Sequence, residues 1–469
     1  MSPPTTFPYT NIREVVDRQT LLLDKTWQIS PEPWPLSSQE VEQLKAIGRA
    51  CHHFFQALDR LYTRSAFGKN LLRNRSLHAP WVAEYLDRGK PEPLVKYALS
   101  PQQQGRTPRL MRPDIIRTDK GFILTEVELQ PSGIGITAFL NHFYQHHTDA
   151  TVIGCNDRML HCFYRMLSEY AADKELPFIA LLVSDDSAVY RPEMEWLARA
   201  LQSHGKRVFV FHPDEVFPLG SSLCVDVDGI PQKVDVIYRF WELFDWRAVS
   251  ANAHILNTGE YAEFAVTPPL RPFQEEKLNL ALFHHHRLQH FWEEQLPRDA
   301  LQTLRAVIPQ SWIVEPTTLS PGAVLDGPRV GGYPLWDWAQ LGEASQKERD
   351  LVLKISGFHK TASGARGIVV GRDVSRGVWE AAIRRALAMS PTHPHIIQPF
   401  HKPKRQSHPI FEDPGELRVQ EGRVRLSPYF FVHDGQVDLS GILATFCPAD
   451  KKLVHGMQDA ALLPCCVRS

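Results

Sequence analysis

The stretch LMRPDIIRTDKGFILTEVELQPSGIGITAFLNHFY, residues 110–144, decides how this chain is read. Two runs of β-forming residues flank the turn sequence Thr118-Asp119-Lys120-Gly121, and a helical pattern begins near Ile136. The order predicts a β-hairpin that runs into a glycine-containing loop and then a helix. Arg112, Asp114, Glu126 and Glu128 carry charge inside segments otherwise suited to a core. Residues two apart on a strand share a face, so Glu126 and Glu128 point the same way and Asp114 comes alongside them across the hairpin. Three converging carboxylates repel one another unless a cation sits between them, and hard oxygen ligands suit Mg²⁺. Arg112 adds a fixed positive group for phosphate. Taken alone, the same pattern also describes the solvated face of an ordinary antiparallel hairpin.

On the C-terminal side, PFIALLVSDDSAVYRPEMEWLARALQSHGKRVFVFHPDEV reads as strand, loop, helix, a Gly205 stop and strand, which is a βαβ unit. VDVIYRFWELFD adds another buried strand, so a parallel α/β segment covers about residues 150–260, and QEEKLNLALFHHHRLQHFWEEQL follows as a helix. Towards the N-terminus, residues 1–36 are proline-rich. SSQEVEQLKAIGRACHHFFQALDRLYTRS then predicts an amphipathic helix behind a serine N-cap, with a second helical stretch at about 79–88. From Glu343 the expected order is a charged helix start, the strand DLVLKIS, a loop of small residues, the strand IVVG, a helix around VWEAAIRRALA and the strand HIIQPF. The last seventy residues read as mainly β.

A second chemical signal is Lys354 in LVLKIS, followed by SGARG at 363–367. A lysine inside an aliphatic strand needs an anion. Backbone amides of a small-residue loop can cradle phosphate oxygens while Lys354 supplies a point charge and Arg366 assists. An edge-strand lysine before a surface loop has the same sequence signature. Gln398 in HIIQPF stands where neighbouring backbone groups could meet a base edge, and it also reads as an ordinary strand-end glutamine. Neither a Walker A motif nor another phosphate-loop pattern occurs.

Together these segments resemble the ATP-grasp ligases, specifically the circularly permuted group that includes the synthetase domain of glutathionylspermidine synthase. In that group an Arg-x-Asp strand is followed, twelve residues after the Asp, by a Glu-x-Asn strand carrying Mg²⁺ ligands. Here Arg112-Pro113-Asp114 is followed at that interval by Glu126-Val127-Glu128 and then Gln130-Pro131-Ser132-Gly133. FQEEKLNLALF is similar to the family's helix entered by an acidic residue and Lys277. ERDLVLKISGFHKTASGARGIVVG is similar to its phosphate-binding strand and loop, and VWEAAIRRAL with HIIQPF to the helix and strand before its adenine hinge. The resemblance spans about residues 105–400.

It implies an α/β (α+β) chain with an ATP-grasp-like core. A helical N-terminal layer would occupy residues 1–100, the metal-binding hairpin and glycine loop 101–150, and a Rossmann-like subdomain with its following helix 151–295. The nucleotide-binding subdomain would occupy 296–400, and a mainly β segment completing the core 401–469. ATP and Mg²⁺ are the implied cofactors. Asp114, Glu126 and Glu128 would hold the metal; Lys354, Ser363, Gly364, Arg366, Gly367 and Gln398 the nucleotide; and Arg112 the migrating phosphoryl. The implied reaction joins a small carboxylate, such as an amino acid or peptide, to an amine through an acyl phosphate. Two departures stand out: Glu128 replaces the usual Asn, and the loop after Lys354 is not the doubly glycine form. They motivate a second reading, a non-catalytic relative that binds nucleotide or another ligand.

Composition bounds the remainder. Hydrophobic residues make up 43% and charged residues 22% of 469, the balance of a folded globular chain. Lys plus Arg (52) nearly cancels Asp plus Glu (53), so no global field favours nucleic acid or an anionic membrane. No leader-like start and no long apolar run is seen, and a cytoplasmic protein is expected. Seven cysteines without CxxC spacing read as free thiols, Cys465-Cys466 included. Gly133-x-Gly135-x-x-Ala138 raises an NAD(P)-dependent oxidoreductase, but acidic residues on the preceding strand and the lack of an acidic strand end some twenty residues on count against it. The run His284-His285-His286 with His290 raises a metal hydrolase. On a helix only His286 and His290 share a face, and no acidic third ligand accompanies them.

Overall fold

A computed structural model describes residues 21, 27–258, 263–362, 364, 366–412, 415–450, 454 and 459–468. Its first elements are strand β1 (Trp34–Leu36), helices α1 (Ser38–Ala66), α2 (Pro80–Asp87) and α3 (Glu92–Leu99), the hairpin β2 (Leu110–Thr118) and β3 (Gly121–Glu128), helix α4 (Ile134–His147), strand β4 (Thr151–Val152) and helix α5 (Arg158–Ser168). There follow β5 (Ile179–Val183), α6 (Arg191–Ser203), β6 (Val208–Phe211), β7 (Phe217–Leu219), β8 (Ser222–Val227), β9 (Ile230–Lys233), β10 (Val236–Phe240), α7 (Ser250–Thr258) and β11 (Ala265–Thr267). Next come α8 (Leu278–His284), α9 (Gln289–Gln295), α10 (Arg298–Val307), β12 (Trp312–Val314), β13 (Arg329–Val330), β14 (Tyr333–Pro334), β15 (Leu351–Ile355), β16 (Ile368–Val370), α11 (Arg376–Met389) and β17 (His395–Pro399). The chain ends with β18 (Arg405–Glu412), β19 (Glu416–His433), β20 (Gln436–Pro448) and β21 (Ala461–Val467). It divides into two compact units, one of residues 1–52, 108–269 and 403–469, the other of 53–107 and 270–402.

The first unit contains a mixed sheet in the order β1-β21-β20-β19-β2-β3, with β18 on β19 and β4 on β21. The hairpin turns where Thr118 Oγ1 accepts from the Lys120 N–H at 3.1 Å and donates to the Gly121 carbonyl at 2.8 Å. Helix α1 starts at the expected cap: Ser37 Oγ accepts from the Glu40 N–H and the Glu40 carboxylate takes the Ser37 N–H, a reciprocal box. A separate all-parallel sheet, β11-β10-β5-β6, is the expected α/β segment, and β5, buried along its whole length, is the Ile-Ala-Leu-Leu-Val run. Between β6 and β10 lies a meander, β7-β8-β9, not anticipated from the sequence. Its second turn is Asp228-Gly229, both at positive φ, the conformation that Asp-Gly favours in tight hairpins.

The second unit is built on the antiparallel sheet β12-β17-β15-β16. Leu351, Leu353 and Ile397 on one face pack with Trp379, Ile383 and Ala386 of α11, a core of buried apolar side chains. The strand and helix order expected after Glu343 is observed, but no helix starts there: a short 3-10 segment, Trp338–Glu343, ends at that residue and turns lead to β15. The stretch expected as a helix from Gln274 to Leu296 is instead α8, a 3-10 turn and α9. The break falls at His285, whose ψ of 122° is extended and whose ring accepts from the Arg287 N–H. It lets the chain fold back, so Trp292 stacks on Phe54, touches Phe283 and donates its indole N–H to the Leu282 carbonyl at 3.1 Å. His286 and His290 therefore do not share a continuous helix.

Parallel and antiparallel sheets with intervening helices make this a mixed α/β chain, as the sequence predicts. Among the described residues no helix is long and apolar enough to cross a membrane. The seven cysteines stand as thiols, with no disulfide among the described residues.

Candidate active site

The first-unit site is built across three neighbouring strands. In the hairpin register Arg112 stands opposite Glu128 and Asp114 opposite Glu126, with a shift between Asp114 and Ile115, which pairs with Leu124. Thr125 is the extra residue of this bulge, and its hydroxyl donates to the Asp114 carbonyl at 3.0 Å. The insertion flips the alternation, so Phe122 and Leu124 stay in the core while Glu126 and Glu128, both half-buried, take the other face beside Asp114 and Arg112.

The third strand, β19, was not singled out in the sequence. Arg425, Ser427 and Tyr429 alternate along it. The Arg425 guanidinium pairs with Asp114 at 3.0 Å, and the Ser427 hydroxyl donates to the same carboxylate at 2.9 Å. Arg112 holds Asp114 through Nε at 3.1 Å and donates through Nη1 to the Ser132 carbonyl at 3.0 Å, which also accepts from the Tyr429 hydroxyl at 2.6 Å. Asp114, 1% exposed, is thus held by two guanidiniums and a hydroxyl. Burial works against the Arg112 charge, yet Asp114, Tyr429 and Glu128 outweigh it and keep the guanidinium above its ordinary value.

The glycine loop that follows is closed by the protein itself. The Glu193 carboxylate, from the first turn of α6, accepts from the Gly135 N–H at 3.0 Å at the start of α4. A Cβ on residue 135 would lie 2.8 Å from both the Glu193 side chain and its carbonyl, which is why glycine is needed there. The helix start that a dinucleotide pyrophosphate would use is therefore already occupied by a carboxylate, a direct argument against the oxidoreductase reading. Burial pushes Glu193 up to about 7, against the lowering influence of the loop amides and Arg112.

A pH dependence follows. Between about 4.5 and about 7 the folded protein retains on Glu193 a proton that the unfolded chain has released, so the Glu193 contribution to stability falls as pH rises through this window, against the opposite slope from His285, His395 and His408, which burial holds down to about 4. The full span corresponds to about 3 kcal/mol. Urea unfolding of wild type and Glu193→Gln across pH 4 to 8 isolates this contribution: the wild type should lose about 3 kcal/mol relative to the variant as pH rises through the window, and a constant difference would refute the assignment.

In the second unit, Lys354 is 6% exposed on β15, opposite Ile368 of β16 and Ile396 of β17. Val352 stands opposite Gln398, so the strand alternation puts Lys354 and Gln398 on the same face, the one turned away from α11. The Gln398 amide donates to Ser311 Oγ at 2.8 Å, so its side chain serves the sheet edge. Ser363 lies outside the described residues. Gly364 adopts a positive φ, and Gly367 is a close-approach position, where a Cβ would fall 2.4 Å from Ile355 and 2.7 Å from the Thr361 carbonyl.

Glu276 and Lys277 tie this loop down. Glu276 pairs with Lys90 at 2.6 Å, both side chains almost wholly buried, and accepts from the Ser356 hydroxyl and the Phe358 N–H. The Lys277 ammonium donates to the Ala362 carbonyl at 3.0 Å. The acidic residue and lysine quoted for the family resemblance thus hold the start and middle of the lysine loop. Lys90, in a Gly-Lys-Pro turn, gave no sequence signal.

No family model matches the chain, and no curated protein does. Among solved structures, a glutathione synthetase-like effector from Globodera pallida in its apo form superposes with a TM-score of 0.56 at 11% identity, over 98% of each chain. The two proteins share a fold. A second structure, a proposed gamma-glutamylcysteine synthetase from Methylobacillus flagellatus, gives a TM-score of 0.41 at 13% identity over 88% of each chain.

Among the described residues the three expected metal ligands Asp114, Glu126 and Glu128 do not close into a group with every ligand atom within 4.8 Å of the others, which leaves Glu126 and Glu128 as the pair that could lend oxygens to a shared cation. Glu126 and Glu128 offer carboxylate oxygens from alternate positions of one strand face, and the guanidinium of Arg112 beside them suits a phosphate. Asp114, engaged by Arg112, Arg425 and Ser427, is suited to fixing those guanidiniums.

Proposed function

We propose that this protein is an ATP-dependent ligase that joins a carboxylate to an amine through an acyl phosphate. The observation that carries the reading is the cluster on β2, β3 and β19, in which three acidic side chains and two arginines, Arg112 buried and Arg425 partly so, share one sheet face. The superposition on a glutathione synthetase-like protein and the lysine strand with its pinned loop support it. The ATP-grasp assignment itself is part of this proposal.

Glu126 and Glu128, with Asp114 behind them, would hold Mg²⁺, which supplies neutralisation of phosphate charge. Arg112 is held by Asp114 and the Ser132 carbonyl, so its remaining donor capacity is oriented before substrate arrives, and it would stabilise the phosphoryl group as it passes to the carboxylate. Lys354 would hold the nucleotide phosphates, assisted by Arg366 and the amides of residues 363–367. Attack of an amine on the acyl phosphate then forms the amide bond and releases phosphate. The test is ADP release by purified protein with Mg²⁺ against a panel of amino acids and short peptides as acids and of amines as acceptors. Release that requires both partners is expected; ATP binding without ADP release on any pair would instead favour the non-catalytic relative.

A further inference from the structure

We propose that Cys162, His433 and Asp438 form a Zn²⁺ site that fastens helix α5 to the tip of the β19–β20 hairpin. The three residues come from two separate parts of the first unit. His433 ends β19, Asp438 lies near the start of β20, and Phe431 is the direct cross-strand partner of Asp438, so His433 and Asp438 are diagonal neighbours on one face. Cys162 projects from the buried side of α5. One ligand atom from each lies within 4.8 Å of the other two.

The separations fit the metal. Asp438 Oδ2 is 3.5 Å from His433 Nε2 and 3.6 Å from Cys162 Sγ. Zinc bonds of about 2.0–2.3 Å to N, O and S give tetrahedral edges of roughly 3.3–3.8 Å. A thiolate, an imidazole and a carboxylate together form a borderline donor set that suits Zn²⁺ over Mg²⁺ or Ca²⁺. Three protein ligands leave the fourth position to water.

The independent observation is His433. Its side chain is 7% exposed, and neither ring nitrogen makes a hydrogen bond. A buried imidazole whose two nitrogens meet only carboxylate oxygens, at 3.5 and 3.7 Å and without a hydrogen bond, is costly, and in a native site it calls for an explanation. An apolar packing role does not supply one, and neither does the ion pair of Arg158 with the other Asp438 oxygen, Oδ1. That pair instead fixes the carboxylate with Oδ2 turned to the cluster. On the far side of the ring, Nδ1 is 3.7 Å from an Asp434 carboxylate oxygen, and Asp434 is held by Arg165 and by its N–H on Glu169. A carboxylate behind the second nitrogen is the arrangement that orients metal-bound histidines.

The experiment uses the full chain, stripped with a chelator, dialysed and titrated with Zn²⁺ and with Co²⁺ as a spectroscopic probe. About one equivalent of Zn²⁺ should bind tightly, and Co²⁺ should develop a thiolate-to-metal charge-transfer band, which the all-oxygen hairpin site cannot produce. Cys162→Ser, a near-isosteric change, should abolish the band and weaken Zn²⁺ at least about 100-fold, and Cys224→Ser, a buried thiol in the meander, should leave both unchanged. Absence of the band in wild type, or its survival in Cys162→Ser, would overturn the site. Circular dichroism of each variant separates ligand loss from unfolding.

Discussion

Asp114→Asn is expected to cost about 3–5 kcal/mol of folding stability in urea unfolding, far more than the loss of one hydrogen bond. The substitution preserves shape and leaves an oxygen for the Ser427 hydroxyl, so the change is one of charge. Asp114 is 1% exposed and is the anion for Arg112 and Arg425, themselves largely buried. Two guanidiniums facing a neutral amide are like charges in a poorly solvated place, and neither can shed its proton. Ser427→Ala, which removes only the hydroxyl, should cost about 1 kcal/mol. If Asp114→Asn stayed within that smaller range, the cluster would not be held by its central carboxylate.

Lys354→Met should reduce ADP release by roughly 10²–10³-fold, the scale for deleting one charge-stabilising donor from a preorganised site. The methionine keeps the length and the apolar stem, so strand β15 keeps its pairing with β16 and β17. The loss should fall on turnover with the fold intact by circular dichroism. An active Lys354→Met enzyme would remove the lysine strand from the proposed mechanism.

The hairpin was legible because its charges interrupt core-like segments, and the period-two rule put Glu126 and Glu128 on one face; their place opposite Asp114 and Arg112 needs a bulge, since the register carried on from the Thr118–Gly121 turn would set Asp114 opposite Thr125. The bulge at Thr125 was not legible, since an inserted residue leaves the hydrophobic pattern of Phe122 and Leu124 unchanged. Arg425, Ser427 and Tyr429 were hidden for a different reason: their partners stand some 300 residues earlier in the chain. Their alternation in Arg-Leu-Ser-Pro-Tyr is the same signal that marked the hairpin, and reading it would have found them. The Asp228-Gly229 turn was likewise visible. The break at His285 was not, because the apolar residues on either side keep helical spacing and only the packing of Trp292 decides it. Glu193 closing the Gly135 loop joins residues 58 positions apart, and composition alone cannot pair them.

The proposed mechanism depends most on Glu126 and Glu128 as the carboxylates that bring Mg²⁺ to ATP. Calorimetric titration of ATP into the protein, with and without Mg²⁺, tests this in wild type and in a Glu126→Gln, Glu128→Gln variant. That role of the two glutamates predicts Mg²⁺-dependent binding in the wild type and none of that dependence in the double variant. Undiminished Mg²⁺-dependent binding by the double variant would contradict it.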